Sequence, residues 1–343
     1  MMLRLALDFD DVFIVPKYSD IISRKFVDTK SETQKLSLRL PVISSNMKTI
    51  TEAKMCIAMS EHGAMGAIHR FMGADQIKQQ IEKLRPHPLN DGTGFSVQGD
   101  ISFPFAVSIG VQTDDKFLFD QLFNNGARIF CIDVAHGHHI LVKNMLGWIR
   151  NKQLDDITII AGNVATPGGA KFLIDEGADI VKVGIGGSKV CRTRGNTGIG
   201  MPTLQSLIDI RESLPKCVMI ADGGIKQVGD IAKALVFANF VMLGTMLAGT
   251  SETPGKVFKD RNGEYYKVYQ GSASGENKGT NNMETKFVEG VTEMVPFRGK
   301  AKYILREIDE GLRSSFSYVG AKNLEEFHQK AELIQVTNST KIK

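Results

Sequence analysis

Several things are scarce in this chain of 343 residues. Its four cysteines, Cys56, Cys131, Cys191 and Cys217, form no CxxC pair and have no metal-ligand spacing, so neither a disulfide framework nor a zinc site is expected. The thiols should be reduced. No apolar run reaches the roughly 18 residues that a membrane span needs, and the start, MMLRLALDFDDVF, carries acids rather than a secretory pattern. A cytoplasmic location is the expectation. Charge of one sign is also in short supply: 42 Lys and Arg stand against 38 Asp and Glu, a formal net of +4, and no basic block is long enough to present a nucleic-acid or membrane surface. The expected partner is a small molecule.

What is present is glycine, 34 of them, and a recurring pattern. Short apolar runs end in small or polar residues at 40–47, 63–69, 105–111, 127–136, 158–164, 179–186, 217–224 and 239–246. Most are continuously apolar, as parallel strands buried on both faces must be, and helix-like stretches such as TEAKMCIAMSEHG and GGAKFLIDEGA lie between them. Strand then helix, eight times over, reads as an α/β single-domain (β/α)8 TIM barrel spanning 1–343. In such barrels the active site lies at the carboxyl ends of the strands. The polar ends here are Asn46, His69, Asp133, Asn163, Gly186, Asp222 and Gly244.

The segment after the sixth strand, GIGGSKVCRTRGNTGIG (184–200), sets Cys191 among glycines and the cations Lys189, Arg192 and Arg194. It cannot be a well-packed helix. Glycines let backbone groups approach an ion, and neighbouring positive charge favours a thiolate, so the loop reads as the mount of a nucleophile. ADGG (221–224) and LGTMLAG (243–249) follow strands seven and eight, the usual phosphate cradle of this fold. Asp222 would repel a phosphate but accepts well from the two hydroxyls of a ribose. Phosphate with ribose indicates a nucleotide. The HGHH run (136–139) reads as a polar loop, because adjacent histidines after a strand cannot all face one ion.

Together these motifs, from FDDVFIVP (9–16) to SYVGAKNLEEF (317–327), resemble the inosine monophosphate dehydrogenase and GMP reductase family. The most specific pieces are VKVGIGGSKVCRTRGNTGIG, ADGGI, VMLGTMLAG, YQGSAS (269–274) and EGVTEMVPFRG (289–299). Three features fit the reductase branch. No inserted regulatory module fits between His69 and Phe105, the flap segment GENKGTNNMETKFV lacks the dehydrogenases' water-activating Arg-Tyr pair, and RTRGNTGIG follows the reductase pattern. The resemblance places the flap at about 271–299 after strand eight, and a C-terminal helix and tail at about 300–343.

The resemblance implies NADPH-dependent reductive deamination of GMP to IMP and ammonia, through a covalent thioimidate on Cys191, with Thr193 and Glu289 relaying a proton to the leaving amine. It implies nucleotide contacts from Asn46, Met47, Ser188, Lys189, Asp222, Gly223, Gly224, Gly244, Thr245, Gly271, Ser272 and Ser274. On the cofactor side it implies Arg70, Asp133, Val134, Ala135 and Asn163. A potassium ion would meet the backbone carbonyls of Gly184, Gly186 and Cys191, and the assembly would be a homotetramer. One departure stands out: the family's Pro-Gly-Ser before the cysteine is Gly187, Ser188 and Lys189 here, which puts a charge where a phosphate-binding hydroxyl is usual. Other readings stay open, namely IMP oxidation, a deoxy or modified guanine nucleotide, an inert nucleotide-binding barrel and a flavin-dependent barrel.

Overall fold

The structure, a computed structural model, describes residues 3–84, 104–187, 193–271 and 290–337. Eight short strands form a closed parallel barrel in chain order: β1 (Val42–Ser44), β2 (Met65–Ile68), β3 (Phe105–Ile109), β4 (Ile129–Asp133), β5 (Thr158–Val164), β6 (Ile180–Val183), β7 (Met219–Asp222) and β8 (Phe240–Leu243). The eight apolar runs supply all of them. Closure is made by β8 on β1, with Val241 opposite Val42 and Leu243 opposite Ser44. The strands are buried almost throughout, because the barrel interior covers one face and the helices the other.

The helices around the barrel are α1 (Ala53–Ser60), α2 (Ala74–Glu82), α3 (Thr113–Asn124), α4 (Ile140–Arg150), α5 (Pro167–Asp175), α6 (Thr203–Ser213), α7 (Val228–Ala234) and α8 (Ala301–Val319), with two shorter ones described below. Local chemistry starts several of them. Thr166 caps α5 through a bond from the Gly169 amide, with Pro167 in its first turn, where a missing N–H is harmless. The ring of His139 accepts from Leu141 N–H at the start of α4, and His138 packs against Phe172, so two of the HGHH histidines have structural work. Gly320 ends α8 in the left-handed region, φ 71°, with no room for a side chain beside the Tyr18 carbonyl. The helix packs against α7 and α1 and completes the outer ring.

Alternation along each strand separates two cores. Inward residues Ile43, Met65, Ala67, Ala106, Ile129, Cys131, Ile160, Ile180, Ile220, Phe240 and Met242 form the barrel interior, while their outward neighbours pack under the helices. The hairpin Ser31–Glu32 with Ser37–Leu38 adds Leu36 and Leu38 to that interior cluster. Its Lys35 carbonyl accepts from Thr158 at the start of β5, which places the hairpin at the barrel's amino-terminal end.

Tyr265–Gln270, which precedes the segment expected as the flap, pairs antiparallel with Thr292–Pro296, which lies within that segment, and with Phe258–Lys259. After α8 come a short helix, Leu324–Lys330, and a strand, Leu333–Gln335, which pairs with Val12–Ile14 and ties the two ends of the described chain together.

Candidate active site

At the carboxyl ends of the strands lies a cavity of about 1000 Å³. Six of the seven polar strand ends line it: Asn46, Asp133, Asn163, Gly186, Asp222 and Gly244. His69 does not. Its ring is buried, and Nδ1 accepts from the Phe71 amide.

The floor is built around Lys182, which the sequence reading passed over as part of an apolar run. Inward positions on β6 are Ile180 and then Lys182, so the ammonium enters the barrel one layer above the dry core. Its Nζ lies 3.0 Å from Asp133 Oδ1 and 3.0 Å from Asp222 Oδ2, with 2% of the residue exposed. Burial alone would discharge it, but the two carboxylates outweigh burial and hold its pKa above the ordinary lysine range. For Asp133, burial likewise opposes charge. Lys182, with help from Arg70 and Asn46, overcomes it and keeps the carboxyl below its usual range.

Asn163 joins this network through an irregularity. By alternation it would point outward, but the β5–β6 register slips between Gly162 and Val164, and Asn163 faces the cavity instead. Its Nδ2 donates to the Gly184 carbonyl at 2.7 Å and to Asp222 Oδ2 at 2.9 Å. Asn46 donates to Ser108 Oγ at 3.0 Å. On the far side Arg70 Nε stands 3.9 Å from Asp133 Oδ2, and Phe71, Met72, Gln112, Val134 and Ala135 extend the lining.

The glycine-rich loops form the opposite wall. Gly223 and Gly224 adopt φ of 98° and 83°, a region that favours glycine, and line the cavity, and the Phe9 ring packs beneath Gly224. Gly244 has no space for a side chain because Tyr269 Oη lies where a Cβ would be crowded, at 2.9 Å. Tyr269 also lies 3.2 Å from Thr245 Oγ1 and 3.9 Å from Met47 Sδ, so it ties the β8 loop to the β1 loop. Tyr269 and Ser108, like Lys182, were missed; an inward parity count along their strands was the available signal.

Cys191, Ser188, Lys189, Ser272, Ser274 and Glu289 lie outside the described residues. Their neighbours do not. Gly184, Ile185, Gly186 and Gly187 lead into the cysteine loop and line the cavity, as do Thr193 on its far side, Gly271 and Gly290. Thr193 opens a short exposed helix, Thr193–Thr197, and the Arg194 side chain lies over Gly186 and Gly200, so the loop after β6 contains one turn of helix without being a packed one. The other three cysteines are buried, and burial raises their thiol pKa values, Cys217 to about 11, Cys131 to about 12 and Cys56 higher still.

Comparison with known proteins shows the family. A family profile described as "IMP dehydrogenase / GMP reductase domain" matches residues 6–342. The chain belongs to the IMP dehydrogenase and GMP reductase family. It is therefore an oxidoreductase. The GMP reductase of Albidiferax ferrireducens is 37% identical over 321 residues, covering 92% of each chain, and that of Lactobacillus delbrueckii subsp. bulgaricus is 35% identical over 341 residues, covering 97% of this chain and 96% of that one. An inosine-5'-monophosphate dehydrogenase from Nitrosopumilus maritimus is 30% identical, covering 99% of this chain and 97% of that one. That alignment runs over 474 positions, so the dehydrogenase carries long segments with no counterpart in these 343 residues. A solved GMP reductase variant from Trypanosoma brucei, in complex with guanosine 5'-monophosphate, superposes with a TM-score of 0.87 at 26% identity, covering 98% of this chain and 96% of that one. The barrel described above is thus the fold of a solved member of this family.

Proposed function

We propose that this enzyme reduces GMP to IMP and ammonia with NADPH, by way of a covalent adduct between Cys191 and C2 of the purine. The observation that carries the reading is the contrast among its thiols. Cys56, Cys131 and Cys217 are buried and hold their protons, whereas Cys191 lies in the sequence between Gly187 and Thr193, both of which line the cavity. Its neighbours Lys189, Arg192 and Arg194 are cationic, which favours a thiolate there.

In this reading the phosphate lies along Gly223, Gly224, Gly244 and Thr245, the ribose meets Asp222, and the base reaches toward Met47 and Gly271. Cys191 adds to C2, Thr193 and Glu289 pass a proton to the 2-amino group, and ammonia leaves with the electrons of the broken C–N bond. NADPH supplies hydride to C2 when bound. Collapse of the resulting adduct expels the thiolate and frees IMP. The residues present suit a nicotinamide: Asp133, Val134 and Ala135 offer carboxylate and backbone groups beside Arg70, on the side of the cavity away from the glycine wall. The fit to potassium is poorer, since the Gly184 carbonyl already accepts from Asn163, and no step is routed through the ion.

A hydrolytic end to the reaction, as in IMP oxidation, would require a base for water, and 275–288 contain neither Arg nor Tyr. The decisive assay mixes the protein with NADPH and GMP and follows reduced-cofactor absorbance together with ammonia. Both should change in step. No change, with NAD reduced in the presence of IMP, would place the enzyme on the other branch. A homotetramer is the assembly we infer from the family, and sedimentation velocity tests it.

A further inference from the structure

Asp222 reaches the cavity with one carboxylate oxygen already engaged. Oδ2 accepts from Lys182 Nζ at 3.0 Å and from Asn163 Nδ2 at 2.9 Å, while Oδ1 makes no hydrogen bond to the described residues. Lys182 is itself confined. Its remaining ion pair goes to Asp133 Oδ1, also 3.0 Å away, and its stem packs on Gly162, where a Cβ would lie 2.7 Å from Lys182 Cβ. The ammonium therefore cannot swing aside without breaking two ion pairs on two different strands.

We propose that Lys182 is a positioning residue that sets ribose specificity: with Asn163 it holds Asp222 Oδ2 from below, so that Oδ1 faces the two hydroxyls of a ribonucleotide. The inference rests on the nucleotide reading above. An oxygen held in this way accepts from both ribose hydroxyls. A 2′-deoxyribose leaves one of those bonds unmade, and a hydrogen bond to a charged group is worth about ten- to a hundredfold in affinity. Without Lys182 the carboxylate is free to turn about its own axis, and that penalty against the deoxy sugar is lost.

The same ammonium braces Asp133, on the nicotinamide side of the cavity. Loss of Lys182 therefore weakens the enzyme generally, and total activity does not separate positioning from simple structural support. The ratio between ribo and deoxy substrates does, because a merely structural role lowers both together.

The test measures kcat/KM for GMP and for its 2′-deoxy form in the wild type, in Lys182→Met, in Lys182→Arg and in the double variant Lys182→Met with Asp222→Asn. The wild type should prefer GMP by about ten- to a hundredfold. Lys182→Met should bring the ratio close to one, chiefly through a higher KM for GMP, and Lys182→Arg should keep part of the preference. The double variant should show no smaller a ratio than the single, since both act through one contact. If Lys182→Met does not fold, Asn163→Ala, which removes the other donor to Asp222 Oδ2 and leaves the carboxylate in place, should lower the ratio in the same direction. A wild-type ratio in either variant overturns the inference. Equilibrium binding of IMP against its 2′-deoxy form reads the same preference without turnover, so a failure of GMP reduction and a failure of this inference are seen separately.

Discussion

The two ends of the barrel are made by the same strands and behave as different materials. Toward the amino-terminal end the inward positions are Ile180, Ile220 and Cys131, all fully buried in an apolar cluster. Two residues further along each strand, about 6.6 Å, the same inward rows carry Lys182, Asp222 and Asp133. The lower layer is held by shape and exclusion of water, the upper by charges that satisfy one another around one ammonium. Stability and chemistry are thus stacked rather than mixed, and substitutions in one layer should leave the other layer's property nearly unchanged.

The largest expected effect belongs to the upper end. Cys191→Ala should remove turnover while GMP still binds, checked by calorimetry beside the NADPH assay; turnover that persists would remove Cys191 from the mechanism. Next comes the lower layer. Phe240→Ala, at a fully buried interior position, should lower stability by about 3–5 kcal/mol through lost contacts and a cavity, with kcat of the folded fraction little altered. Denaturant unfolding and an active-site titration read the two quantities separately. A matching loss of kcat would mean that the two layers are coupled.

Asp222→Asn should do the reverse at smaller scale. It is expected to raise KM for the nucleotide by about ten- to a hundredfold with a much smaller change in denaturation midpoint. Thiol labelling sharpens the contrast further. At neutral pH one cysteine per chain should react with an alkylating reagent, and bound GMP should protect it, because Cys56, Cys131 and Cys217 are buried with raised pKa values. Labelling mapped by mass spectrometry to Cys131, only two residues along β4 from Asp133 in the polar layer, would show that the floor opens to solvent.

How much of this was readable beforehand differs between the layers in the same way. The eight runs of Ile, Val and Ala named the strands, because parallel barrel strands are apolar on both faces and glycine or aspartate marks where each stops. Asp133 and Asp222 stood at those stops and were found. Lys182 was not, since a single cation inside DIVKVG does not interrupt an apolar run; only counting inward parity from Ile180 puts it in the cavity. Asn163 was found only because it stands at the polar end of its run; parity would have sent it the wrong way, because the slip at Gly162 is a backbone event with no side-chain signature. His69 failed for the opposite reason. It stands at a strand end and looks like a site residue, yet its bond to the Phe71 amide turns the ring into the wall.

The smallest effect concerns pH and again divides the ends. His328, on the helix Leu324–Lys330, lies 3.1 Å through Nε2 from the Ala238 carbonyl, just ahead of β8 at the amino-terminal end. Burial lowers its pKa below the ordinary value of 6.5. The unfolded chain therefore takes up a proton near that pH before the folded one does. Its share of stability is fully present above about pH 6.5 and is lost as pH falls toward the folded pKa. The floor titrates elsewhere: Asp133, with a lowered pKa, gives way only at more acid pH, and Lys182, with a raised one, only at strongly alkaline pH. His328→Gln keeps a donor for the Ala238 carbonyl and removes the titration. Thermal midpoints measured from about pH 7 to about pH 5 should fall less steeply in this variant than in the wild type, while KM for GMP across the same range stays the same. A change in the KM profile would show that the dry lower layer transmits its charge state to the polar one.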